Sequence, residues 1–249
     1  DTDPYFLPQH ALLLPHLKNL KLPVELGYLQ QNLKIFEYVQ GLTLVNSLHS
    51  QQLLQQVNQN KTAEKMFANT HNKQLIFFNI INLSGLKYKP ENILSITAEQ
   101  FPALEYLGFQ YDARASLIKH LKNFQNLKHI QVKGVLGDLI PELNAHTQTL
   151  HIEGAGAQFR LEQLHQLQQL EALYLNSIHT EIDCTFLADN KHLKEITILN
   201  SAQFKNVDAL LSMENLQTLE MVNCKKVING DLKQQFYAKQ LKSLKIDFC

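Results

Sequence analysis

The chain is poor in the residues that mark several protein classes. It has no Trp, only 9 Gly, 7 Pro and 3 Cys in 249 residues. The cysteines, Cys184, Cys224 and Cys249, are too few and odd in number for a disulfide framework, and they suit a reducing compartment. No sign of charge dominates: 23 Lys and Arg balance 23 Asp and Glu. That argues against a chain built around nucleic-acid phosphates or an anionic membrane surface. No apolar run approaches the roughly 18–20 residues of a membrane helix. The longest candidate, Ala11 to Leu14, stops at Pro15. A hydrophobic content of 45% excludes wholesale disorder. The chain begins at Asp1 without a signal-peptide pattern. Either a leader has been removed or the sequence starts within a longer one. A cytoplasmic protein or a secreted effector is expected.

What the chain does have is leucine, 44 residues of it, with 25 Gln. So much Leu beside so little Gly suggests a repeated packing unit. The pattern Leu-x-x-Leu-x-Leu, with any aliphatic allowed, recurs at Leu104, Leu127, Thr147 (a polar first slot), Leu170, Leu193, Leu216 and Leu241. The middle aliphatics are Leu107, Ile130, Leu150, Leu173, Ile196, Leu219 and Leu244, at steps of about 20–25 residues. Upstream, Val39-x-x-Leu42-x-Leu44 fits, Leu75-Ile76-Phe77 fits two slots, and Leu17-x-x-Leu20-x-Leu22 sits between Pro15 and Pro23. The spacing there is longer, and a helix over Ser47–Met66 would account for it. Residues 1–33 are expected to form a cap region that includes a first strand, and residues 34–249 the repeat array.

Alternate residues of a strand point to one side. The two closely spaced aliphatics therefore face inward, and each strand pairs in parallel with that of the next repeat. Between strands the apolar spacing changes to three and four, as in Leu161, Leu164, Leu167 and Leu170, or Val207, Leu210, Met213 and Leu216. That places a stripe on a short helix.

These motifs resemble the leucine-rich-repeat superfamily over roughly residues 17–249, most closely its short bacterial and intracellular repeats over residues 161–249. The resemblance implies an α/β solenoid, with a curved parallel sheet on the concave face and short helices on the convex face. It further implies a protein-binding role. The family's Asn or Cys slot, three residues after the last strand aliphatic, holds Cys224, Cys249, Ser201 and Ser47, but Ile178, Ala155, Val135 and Asp112 in the other repeats.

On such a sheet the residue between the inward aliphatics faces outward. That column reads Thr43, Ile76, Gly108, Gln131, His151, Tyr174, Thr197, Glu220 and Lys245. The preceding column includes Tyr106, His129 and Glu195. Tyr is enriched at binding hot spots, so the candidate protein-binding residues are Tyr106, His129, Gln131, His151, Tyr174, Glu195, Thr197 and Glu220. The same positions also suit ordinary solvated strand residues.

The chemistry-bearing motifs are missing. No phosphate-binding Gly-rich loop, Gly-x-Ser-x-Gly or His-Glu-x-x-His occurs. His129 and His151 lie in adjacent repeats, but without a Cys or carboxylate beside them they make a weak metal pair. Cys224 precedes Lys225 and Lys226, yet it fills the repeat's polar slot and reads as structural. The expectation is a non-enzymatic module without cofactor or metal, binding a protein partner and neither nucleic acid nor membrane. Bacterial effector, toxin-neutralising protein, and recognition or regulatory subunit of an intracellular enzyme complex all stay open. The final strand motif falls at the last residues given, so that edge is bare, or covered by a partner or by a second copy in a homodimer, or followed by further chain.

Overall fold

The computed structural model describes residues 18–23, 39–45, 71–80, 96–112, 120–201, 203–224 and 240–247. The expected helix over 47–66, most of the expected cap and Cys249 lie outside these residues. The chain divides into two compact units, Asp1–Gln110 with Ala115–Leu127, and Tyr111–Arg114 with Lys128–Cys249.

In the first unit, β1 (Asn19–Pro23), β2 (Gly41–Val45), β3 (Phe77–Asn79) and β4 (Tyr106–Asp112) pair in parallel in chain order. Leu42, Phe78 and Leu107 share one register position and are all 0–2% exposed. This corrects the third repeat. The strand is Phe77-Phe78-Asn79, so the column reads Thr43, Asn79, Gly108, without Ile76. Ile76 sits one step before the strand. Its carbonyl accepts both Glu105 N and Tyr106 N, as Gln40 O accepts Ile76 N and Phe77 N. Leu75 takes the leading slot, with Phe78 and Ile80 as the buried pair, and Ile76 is left 43% exposed.

In the second unit the main sheet joins β5 (His129–Leu136), β6 (Thr149–Ala155), β7 (Ala172–Ile178), β9 (Glu195–Leu199), β11 (Thr218–Val222) and β12 (Ser243–Asp247), all parallel. A second pair, β8 (Glu181–Asp183) with β10 (Gln203–Lys205), is also parallel. Together they make an α/β solenoid. One hydrogen-bond step recurs from turn to turn. Lys128 O accepts from Gln148 N and Thr149 N, Gln148 O from Glu171 N and Ala172 N, and Glu171 O from Lys194 N and Glu195 N. Lys194 O and Gln217 O continue it to β11 and β12. The shared acceptor sets the same register in each repeat.

The inward aliphatics stack into the core. Leu150, Ile196 and Leu219 are 0% exposed and Leu173 is 2% exposed. Each such burial contributes roughly 1.5–3 kcal/mol against conformational entropy. In β12 the packing opens, and Leu244 is 41% exposed. The described connectors are short. They carry 3-10 turns at Ile140–Glu142 and Leu161–Gln166, and two brief helices, α1 (Cys184–Ala188) and α2 (Asp208–Leu211). About 20–25 residues per repeat, minus a strand, leave room for turns more readily than for full helices.

The departures from the polar slot have a structural counterpart. Val135, Ala155 and Ile178 are buried, and their strands run for seven or eight residues. Where Ser201 and Cys224 fill the slot, the strands stop after five residues. Ser201 Oγ donates to Leu199 O at 2.9 Å and accepts from Ile178 N at 3.1 Å. Cys224 Sγ lies 3.5 Å from Val222 O and is fully buried.

Candidate functional site

The outward positions of the second unit form two files across the strands. One runs Gln131, His151, Tyr174, Thr197, Glu220, Lys245, each paired in register with the next. The other runs His129, Thr149, Ala172, Glu195, Thr218, Ser243. Seven of the eight expected binding residues therefore belong to one continuous sheet face. Strand neighbours are about 4.8 Å apart, so side chains in a file touch or nearly touch.

They do so in particular ways. The rings of His151 and Tyr174 are 3.9 Å apart at centroid, tilted by 54°. His129 Nδ1 lies 3.1 Å from Thr149 Oγ1. His129 thus pairs with Thr149, and His151 with Gln131 and Tyr174, so the two histidines are not register partners. Lys245 Nζ reaches Glu220 Oε1 at 3.0 Å and Lys133 Nζ reaches Glu153 Oε1 at 3.2 Å.

The eighth residue, Tyr106, belongs to the first unit. It stacks on Phe77, with centroids 4.3 Å apart and planes within 10°. The sequence pattern puts Phe77 inward instead, because it sets the third repeat three residues early, with Leu75 rather than Phe78 opposite Leu42.

The environment changes how these groups titrate. Partial burial lowers the His151 pKa, and the Glu153 carboxylate opposes that without reversing it. Burial raises the Tyr174 pKa first, and the Glu153 and Glu220 carboxylates push it the same way. Burial also raises Tyr106. Away from this face, burial pushes the Cys184 thiol up to about 12, helped by nearby Asp183 and Asp208. A thiol so held is protonated at neutral pH and is a poor nucleophile.

Asp183 shows a different balance. Burial would raise its carboxyl, but hydrogen bonds from Thr185, Asn206 and Lys205 outweigh that and hold it below the usual carboxylate range. Its Oδ1 accepts from Thr185 N at 3.0 Å, capping α1, and from Asn206 Nδ2 at 2.9 Å. This cluster staples β8 to β10 through Lys205.

Two structural ladders lay hidden in the sequence. Asn72, Asn144 and Asn190 each sit three residues before a leading slot and are buried. Asn72 Nδ2 donates to Val39 O at 2.6 Å, and Asn190 Nδ2 donates to Leu167 O at 3.2 Å. At the strand ends, Gly154, Ser177, Asn200 and Asn223 all have left-handed backbone, with φ between 50° and 73°. Their even spacing of small or turn-forming residues was the available signal.

Among the described residues, no group of three or more His, Cys, Asp or Glu is placed to hold a metal ion. No described helix is long and apolar enough to cross a membrane. What the face offers chemically is an aromatic and amphipathic centre between polar flanks, suited to contact. No family model matches the chain, and no curated protein matches it.

Proposed function

We propose that the chain is a leucine-rich-repeat-type binding module that holds a protein partner on the outward face of its sheet, without catalysis. The observation that carries this reading is the file Gln131, His151, Tyr174, Thr197, Glu220, Lys245, in register across six parallel strands. A solenoid presents such an extended surface because each repeat adds one strand and one set of outward side chains. Tyr174 is half-buried with its ring braced by His151. A pre-positioned aromatic loses little entropy when a partner covers it.

The test is site-specific photo-crosslinking. A benzophenone side chain replaces Tyr174 in one preparation and Gln169, exposed in a connector, in another. Adducts to the same protein from position 174 and none from 169 support the reading. Adducts from 169 alone reverse it. With the partner in hand, Tyr174→Ala should weaken binding by about 2 kcal/mol, roughly thirtyfold.

A further inference from the structure

The carboxylates of the second unit's sheet are not alike. Glu153 and Glu220 on the strands, and Glu171 just before β7, each pair with a Lys of the neighbouring repeat, at 3.2, 3.0 and 2.9 Å. Glu195 has no cation within ion-pair distance among the described residues. Its register neighbours are Ala172 and Thr218, which bring no charge. Ala172 is also the smallest side chain in its file. It precedes Tyr174 by two on the same strand and face, so only a methyl group stands between the Tyr174 and Glu195 positions in these two files. One strand spacing and one two-residue step separate Tyr174 from Glu195, about 8 Å between Cα atoms.

We propose that this part of the sheet face takes an arginine from the partner, its guanidinium laid on the Tyr174 ring and forked to the Glu195 carboxylate. The proposal rests on the sheet face being the binding surface, and it names the chemistry that face recognises. A planar guanidinium meets both demands together: it stacks on an aromatic face and donates two parallel N–H bonds to a carboxylate. A lysine ammonium offers the charge without the plane or the fork. The local field agrees, since Glu153 and Glu220 flank Tyr174 closely enough to bias its phenol against ionisation. An incoming cation is attracted by the same field, and it gives Glu195 the kind of partner that Glu153, Glu171 and Glu220 already have.

The probe is acetyl-Gly-Gly-Arg-Gly-Gly-amide, with its lysine and citrulline counterparts. They are titrated into the full chain carrying ring-labelled tyrosine and followed by NMR. Tyr174→Phe assigns the Tyr174 signal. The arginine peptide is expected to shift that signal saturably, with a Kd below about 10 mM. The neutral citrulline peptide should bind at least tenfold more weakly, and the lysine peptide severalfold more weakly. Glu195→Gln should weaken the arginine peptide about tenfold. Ala172→Leu, which puts bulk between the Tyr174 and Glu195 positions and leaves every charge in place, should weaken it comparably. Glu214→Gln, on an exposed connector carboxylate, should change nothing.

Equal binding of arginine and citrulline overturns the proposal, as does unchanged binding to Glu195→Gln, or no saturable shift below about 10 mM. Lysine binding as well as arginine replaces it with a general cation site. The photo-crosslinking result is independent of these outcomes. A face that captures a partner yet ignores the arginine peptide keeps the binding function and loses the arginine. A face that does neither loses both.

Discussion

Asn223 donates a hydrogen bond from Nδ2 to Oδ1 of Asn200, 2.7 Å away and one repeat earlier. Asn200 passes the interaction on to Asn176 Oδ1 at 2.9 Å. Both Asn200 and Asn223 have left-handed backbone, with φ of 50° and 56°. The two facts are linked. The strand must turn sharply as it leaves the sheet, and Asn is among the few non-Gly residues that enter this region without large strain. Its amide then bridges the turns. Asn200→Ala should therefore lose about 1–2 kcal/mol of stability through backbone strain and the broken bridge. Asn200→Gly should lose less, since it relieves the strain. Urea unfolding of both variants checks this, and an alanine variant no worse than glycine would rule out backbone strain as the cause.

The buried asparagines make a second prediction. Asn190 Nδ2 donates to Leu167 O, and its Oδ1 accepts from His192 N. The same slot holds Leu167 one repeat earlier and Met213 one repeat later. Volume at this position is thus not special to Asn; the hydrogen bonds are. Asn190→Ala should destabilise by about 1–3 kcal/mol, because it removes the bond between repeats to Leu167 O and the acceptor of His192 N, and leaves a buried gap. Asn190→Leu restores volume without the donor, and thermal unfolding should show that it recovers only part of the loss.

His151 makes stability depend on pH. Its pKa is lower in the folded chain than in the unfolded one, mainly because it is partly buried against Tyr174. The unfolded chain therefore binds the proton more readily. The contribution is fully present above the ordinary histidine pKa and is lost as the pH falls through the lowered folded value. Unfolding of wild type and His151→Gln should differ in slope below about pH 6.5 and run parallel above it. Parallel curves throughout would mean that His151 is solvated alike in both states.

The thiols of Cys184 and Cys224 should be silent in the native protein. Cys184 and Cys224 are fully buried, and the Cys184 pKa is pushed up to about 12. Iodoacetamide at pH 8, followed by peptide mapping, should leave both unmodified until denaturant is added. Rapid native labelling of Cys224 would point to an accessible, reactive thiol and to chemistry the binding reading does not contain.

The repeat was legible because it depends on one property only. Ile130 and Val132, Leu173 and Leu175, Leu219 and Met221 recur with strand alternation inside a fixed period, and hydrophobicity decides which side they face. The third repeat was misread for the same reason. Residues 75–80 read Leu-Ile-Phe-Phe-Asn-Ile and admit two registers. Only parallel pairing of Phe78 with Leu42 and Leu107 selects one. The outward file at Gln131, His151 and Tyr174 was legible as a column, because alternation places it once the inward residues are known.

Composition and period were enough to establish a parallel solenoid, its inward leucines and its outward columns, since burial of apolar side chains at a regular interval leaves few other arrangements. Tertiary structure alone decided which outward residues act together. It stacked His151 on Tyr174 and Phe77 on Tyr106, gave Glu153 and Glu220 a lysine each, and left Glu195 beside Ala172 without one. It also turned Asn72, Asn190 and Asn223 into bridges between repeats. Hydrogen bonds and ion pairs are short-ranged and directional. They depend on which side chains meet across strands some 23 residues apart, and that meeting exists only after the repeats have stacked.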